Sequence, residues 1–187
     1  MRILMLGNSF TAAYKLTKQL SQSLHAEVEA HTRSGARLAE QINPETKMGA
    51  RTQEVLNNES WDYVVLQEMS KGPVVNRERY FDSVKTLSKQ IKEHGATPII
   101  YVTWAYKKGS PAMEKEDFTY EEMHERMQEA CLQVAKENDC LVANIGEVFY
   151  TSKKDLYDED GMHPNELGVE KIVEVLTNTI QENEKAK

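Results

Sequence analysis

Apolar residues along the chain fall into five short runs, separated by longer stretches in which they recur every three or four positions. The runs are Arg2 to Leu6, Ala26 to Thr32, Asp62 to Gln67, Pro98 to Thr103 and Leu141 to Ile145, and each reads as a strand. Between them, Ala12, Ala13, Leu16, Leu20 and Leu24 line one helix face, Tyr80, Val84, Leu87 and Ile91 a second, and Met123, Met127, Ala130 and Val134 a third. Val169, Ile172, Val173, Leu176 and Ile180 line the closing helix. Strand alternating with helix predicts right-handed crossovers and a parallel sheet covered on both faces, a three-layer α/β/α sandwich without internal repeats.

The runs differ in quality. "ILML", "YVVL" and "IIYV" are nearly continuous, as strands buried on both faces must be, whereas "AEVEAHT" interleaves Glu27, Glu29 and His31. The second strand therefore belongs at an edge. The flavodoxin-like order 2-1-3-4-5 puts it there, and puts the topological switch point, where ligands bind in such sheets, between strands 1 and 3.

A chain of 187 residues suffices for one domain with a full core, and nothing in the composition divides it; a single domain is expected over 1–187, fraying from about 181 to 187. Lys and Arg number 23 against 30 Asp and Glu, a net charge of −7, with the basic residues scattered, so nucleic acid is not an expected partner. No run approaches the roughly 18 apolar residues of a membrane span, and the N-terminus enters a strand pattern without a signal-peptide core. No membrane association and a cytoplasmic location are expected. Cys131 and Cys140 lack CxxC spacing and read as reduced core residues.

The switch point is where candidate chemistry collects. "LGNSFT", residues 6 to 11, follows the first strand and opens a helical pattern, so Ser9 is either the cap of that helix or a nucleophile. The second strand runs into "RSGAR" with Gly35, and the third ends in "LQEMS" with Gln67. The connection "GEVFYTSKKDLYDEDGMHPN" after the fifth strand is long for its class and carries Asp160 and His163. Each residue also has an ordinary reading: Gly35 a turn glycine, Gln67 a satisfied strand-end amide, Glu68 a solvated loop carboxylate, Asp160-Gly161 a turn pair. The remaining histidines, His25, His31, His94 and His124, sit in strand or helix patterns and attract no chemistry. Asp158, Glu159 and Asp160 with His163 form too compact a group to fix a metal's geometry, and neither metal nor cofactor is expected.

"GNSFT" and "DGMHP" resemble the first and last blocks of the SGNH hydrolases, the GDSL-like esterases and lipases, and the resemblance runs in order from residue 3 to about residue 175. It implies a three-layer α/β/α fold, Ser9 as nucleophile, and a triad of Ser9, Asp160 and His163. It also implies an oxyanion hole from the backbone of Ser9 and Gly35, with Gln67 standing where the family places an asparagine. The G-x-S-x-G elbow of the α/β-hydrolases is absent, since Thr11 occupies the second glycine position. The expected activity is hydrolysis of small acyl esters of a small-molecule substrate, such as acetyl groups on carbohydrates, with Trp104 and Tyr106 walling the acyl side of the crevice. The same residues also fit an acyltransferase, or a lysophospholipase or thioesterase. A flavodoxin-like anion-binding module would use Ser9 and Gly35 but leave Asp160 and His163 without a task.

Overall fold

Five strands form in the computed structural model of the chain, which describes residues 1–187: β1 (Arg2–Gly7), β2 (Glu27–Thr32), β3 (Tyr63–Leu66), β4 (Thr97–Tyr101) and β5 (Leu141–Ala143). All pair in parallel, in the order β2-β1-β3-β4-β5, and the register sets Gly7 beside Thr32 and Leu6 beside Leu66. The carboxyl ends of β1, β2 and β3 thus arrive together, as the apolar pattern predicts.

Side chains alternate across the sheet, and each face takes its own layer of helices. Ile3, Met5, Tyr63, Val65 and Ile99 pack with Leu16 and Leu20 of α2 (Leu16–Leu24) and with Val169, Ile172, Leu176 and Ile180 of α10 (Glu166–Lys185). On the other face, Leu4, Leu6, Val64, Leu66 and Ile100 meet Leu56 of α4 (Lys47–Asn58), Val84 and Leu87 of α6 (Arg77–Glu93) and Val134 of α8 (Tyr120–Glu137). At about 1.5–3 kcal/mol for each large apolar side chain, these two layers are the main source of stability. No helix is long and apolar enough to cross a membrane.

Three local expectations are corrected. The helix over residues 12 to 24 is broken: α1 (Ser9–Ala12) ends after one turn, and Tyr14 and Lys15 take left-handed backbone angles, φ 40° and 56°, before α2 starts. The Tyr14 hydroxyl donates to Asp158 at 2.9 Å and its carbonyl accepts from Gln19 Nε2 at 2.8 Å, which hold the kink in place. The connection 146–165 is partly helical, because Asn144 caps α9 (Ile145–Thr151) by accepting from the Glu147 N–H at 3.2 Å. The tail expected to fray from residue 181 stays in α10 as far as Lys185, since the Tyr63 hydroxyl needs partners at the amino end of the sheet and finds Asn183 (2.8 Å), Lys187 (3.3 Å) and Glu184.

The kink generates a test. A non-glycine residue held in the left-handed region costs about 1–2 kcal/mol, against about 0.5–1 kcal/mol of extra chain entropy lost on ordering a glycine. Lys15 is exposed, so Lys15→Gly is expected to stabilise the protein by up to about 1 kcal/mol, and Lys15→Ala to give no such gain, measured as urea midpoints.

Candidate active site

At the end of β1 the chain turns into α1, and the capping task falls to Asn8 instead of Ser9: Asn8 Oδ1 accepts the Phe10 N–H at 3.1 Å, and the Asn8 carbonyl accepts from the Thr11 and Ala12 N–H groups, both at 3.1 Å. Asparagine is among the best N-caps, so the signal was present one residue earlier than the serine. Ser9, relieved of that task, is half-buried with its hydroxyl free to bond to another loop. Its N–H, at the first helical position, has no intrahelical partner.

The turn is fixed from below by Gln67, which is 1% exposed. Its Oε1 accepts from the Asn8 N–H and the Thr11 hydroxyl, each at 3.0 Å, while its Nε2 donates to the Glu68 carbonyl at 2.5 Å. Gly7 has to be glycine here, because a Cβ would stand 2.5 Å from Thr11 Oγ1 and 2.6 Å from Gln67 Oε1. Gln67 therefore differs from the oxyanion donor expected of it. Its longer stem carries the amide under the turn, where the carbonyl end is occupied twice and the amino end is held by backbone. Glu68, expected in solvent, is buried as well; burial pushes its carboxyl pKa up, against the N–H groups of Met69 (2.8 Å) and Leu38 (3.2 Å) that it accepts from.

Asp160 and His163 come from a tight loop between α9 and α10, closed by the Asp158 N–H donating to the His163 carbonyl at 2.8 Å. Asp160 Oδ1 accepts the N–H groups of Met162 and His163, each at 2.9 Å, and Oδ2 accepts from His163 Nδ1 at 2.5 Å. Burial alone would raise the Asp160 pKa; the bonds from His163 and the two backbone N–H groups outweigh it and hold the carboxyl below its ordinary range. With Nδ1–H committed to Asp160, His163 Nε2 is the acceptor of the Ser9 hydroxyl, 2.8 Å away and 154 residues distant in sequence. Asp158 is engaged by Tyr14, and no group of three or more His, Cys, Asp or Glu side chains is arranged to hold a metal ion.

An aromatic column joins the two halves. Phe10 stands edge-on to the His163 ring (centroids 5.1 Å apart, 89°) and stacks on Trp104 (4.8 Å), which stacks in turn on Phe149 of α9 (4.0 Å). Trp104 is 1% exposed and its Nε1 donates to the Met162 carbonyl at 2.9 Å, so it lies beneath the site and does not wall the crevice as expected. Tyr106 does face a cavity, of about 430 Å3, that is also lined by Asp160. Its hydroxyl bonds with Ser70 Oγ at 2.7 Å. Gly35 lies in the loop whose next carbonyl, that of Ala36, accepts from Asn8 Nδ2 at 3.3 Å; its φ is 67° and open space lies over its Cα. The N–H of Gly35 makes no hydrogen bond within the protein, as that of Ser9 makes none.

A parallel sheet in this order, with a serine after β1 bonded to a histidine that is bonded to an aspartate before the last helix, defines a serine-hydrolase-like α/β/α protein. Among solved structures the chain is similar to an SGNH hydrolase from Slackia heliotrinireducens, with 45% identity, 96% of this chain and 98% of that one covered, and a TM-score of 0.94. The chain belongs to the SGNH hydrolase family and is, at that level, a hydrolase. More distant structures share the fold: a lipase/acylhydrolase from Enterococcus faecalis (15% identity, 98% and 97% covered, TM-score 0.68) and a variant of a Geobacillus acetyl-xylooligosaccharide esterase (16%, 96% and 93%, 0.68). No protein-family model and no curated protein sequence matches the chain.

The supporting task of Gln67 can be separated from a chemical one. Gln67→Leu leaves the buried Asn8 N–H and Thr11 hydroxyl without their acceptor, a loss of about 1–3 kcal/mol for a stranded polar group. A urea titration is expected to record that destabilisation; unchanged stability with a fall in kcat alone would return Gln67 to the oxyanion.

Proposed function

We propose that the protein is a serine esterase acting on short acyl esters through an acyl-enzyme on Ser9. The observation that carries this reading is the unbroken chain of bonds from Ser9 Oγ through His163 to Asp160, at 2.8 Å and 2.5 Å. His163 Nε2 takes the Ser9 proton as Oγ attacks the ester carbonyl, and Asp160 fixes the tautomer and supports the imidazolium. The free N–H groups of Ser9 and Gly35 supply the oxyanion donors, each worth on the order of 3 kcal/mol in the transition state. His163 then returns its proton to the departing alkoxide, which leaves as the alcohol. A water, deprotonated by the same nitrogen, attacks the acyl-Ser9 carbonyl; the acid departs and Ser9 recovers its proton.

The short-acyl part of the reading rests on what surrounds the site. The cavity beside Asp160 is lined by Lys71, Lys115, Glu116 and Glu159 as well as Tyr106, Pro111, Ala112 and Met162. Each methylene of an acyl chain gains about 0.8 kcal/mol only where apolar surface receives it, and a lining with four charged side chains besides Asp160 gives a long chain little of that. Small acyl groups, acetyl above all, carried by a small molecule such as a carbohydrate, suit these walls.

Two measurements check the reading. Ser9→Ala is expected to cut turnover of p-nitrophenyl acetate by about 10^6-fold with the fold intact, and an organophosphonate probe to add its mass at Ser9 and nowhere else. Activity retained in that variant would remove Ser9 from the mechanism. Across p-nitrophenyl esters of two to twelve carbons (about that range), kcat/KM is expected to peak at the short end. A steady climb with chain length would overturn the short-acyl preference.

A further inference from the structure

We infer that the cavity of about 250 Å3 at the carboxyl end of β2 is an anion site, and that the group it receives is a phosphate. The inference goes beyond the esterase reading and does not depend on it. Two segments build the cavity: His31, Thr32 and Arg33 at the end of the edge strand, and Lys47, Met48 and Arg51 at the start of α4. Every residue of fixed charge in this lining is a cation, in a chain whose net charge is −7. Cations gathered around one space repel one another, and an anion placed between them relieves that repulsion.

The pairing of these cations leaves donors for a ligand. Arg33 is paired with Glu40 and Arg51 with Glu29, the latter at 2.7 Å, whereas Lys47 has no carboxylate partner. Neither glutamate lines the cavity, and three cations against two carboxylates leave one positive charge in excess. Arg51 spends only Nη2 on Glu29; Arg33 spends Nη2 on Glu40 and Nη1 on the Ser34 carbonyl at 2.9 Å. The remaining guanidinium N–H groups and the Lys47 ammonium stay available to donate. His31, 2% exposed, gives the lining a fixed member: Nδ1 bonds with Thr52 Oγ1 at 2.8 Å and Nε2 with Glu29 at 2.9 Å, while its carbonyl accepts from Gln41 Nε2 at 3.1 Å. The bond to Glu29 also fixes the carboxylate that holds Arg51, so this guanidinium is placed before a ligand arrives. Size and donor geometry then select the ligand. At about 250 Å3 the space falls below the roughly 300–1,000 Å3 of sites for a whole small molecule, so it takes a single charged group. Donors from three side chains suit an oxyanion whose oxygens do not lie in one plane, and the arginine fork matches phosphate oxygens in pairs.

The test is calorimetric titration with inorganic phosphate at low ionic strength, in the unmodified protein, in Lys47→Gln and Arg51→Gln, and in the control Lys153→Gln. Lys153 is exposed on the loop before α10 and lies outside the lining. Phosphate is expected to bind, and to bind about tenfold more weakly in Lys47→Gln and in Arg51→Gln, as for lost bonds between charged groups. Lys153→Gln is expected to bind as the unmodified protein does, and thermal unfolding confirms that all three variants fold. Absence of binding, or equal weakening in all three, would overturn the site, since scattered surface charge behaves in that way. Tighter binding of succinate than of phosphate would overturn the phosphate in favour of a carboxylate. Phosphate arrives either free or carried on a substrate, and the register that sets Thr32 beside Gly7 brings the cavity within one strand of the Ser9 turn. Comparing kcat/KM for 1-acetylglycerol 3-phosphate and 1-acetylglycerol separates these sources. A preference for the phosphorylated ester that disappears in Lys47→Gln assigns the phosphate to the substrate; equal values, with inorganic phosphate bound, assign it to a free ion. Should neither ester be hydrolysed, the esterase reading fails while the titration still decides the cavity.

Discussion

Ser9 and His163 lie 154 residues apart in sequence, one just after β1 and the other just before α10, and their 2.8 Å separation depends on what lies under them. That support is the column Phe149–Trp104–Phe10, with ring centroids at 4.0 and 4.8 Å, capped edge-on by the imidazole. Each ring comes from a different segment: Phe10 from the turn after β1, Trp104 from the exit of β4, Phe149 from α9. Stacked rings tolerate little sliding without losing contact area, so the column transmits the spacing of the strands to the loops above them. The Trp104 N–H on the Met162 carbonyl then holds the Asp160–His163 loop one residue before the imidazole.

The two halves of the site are stabilised differently. The Asp160 side is closed locally, since its carboxylate accepts three N–H groups from within three residues, and the loop positions the imidazole largely by itself. The Ser9 side depends on contacts far away in sequence. Gln67, 59 residues from Asn8, holds the turn from the neighbouring strand, and Gly7 leaves the room for it. A buried side chain whose amide is bonded at both ends is stiff, and the proposed nucleophile, held against its proposed base, needs such stiffness.

That contrast explains what could be read from the sequence. Strands buried on both faces appear as continuous apolar runs, and Glu27 and Glu29 mark β2 as the edge, so the order 2-1-3-4-5 was legible. Asp160 and His163 were legible as a pair through the block "DGMHP", which resembles the last block of the family and keeps both residues within one short stretch. Gln67 was not, because an amide in a sequence does not declare which end faces which partner, and its partners belong to another strand. Trp104 read as a crevice wall because an aromatic residue at a strand exit suits either task; only the stacking of Phe10 and Phe149 on it decides. The break at Tyr14 carried no signal, since neither Tyr nor Lys announces a left-handed backbone as Gly or Asn does.

The break also changes where electrostatic help for a developing negative charge has to come from. A long helix following Ser9 would present a summed dipole to the site, but α1 has four residues and ends at a kink, so little of that field exists. Of the amides in its first turn, those of Phe10, Thr11 and Ala12 are already taken by Asn8, leaving that of Ser9. On the facing loop, Ala36 donates to the Arg33 carbonyl at 3.0 Å and Gly35 does not donate at all. Asn8 therefore does more than cap a helix: by consuming the neighbouring donors it leaves the Ser9 N–H as the turn's own unpaired amide. In the proposed mechanism an oxyanion would then draw on two N–H groups, that of Ser9 on a turn bonded from below by Gln67 and that of Gly35 on the facing loop.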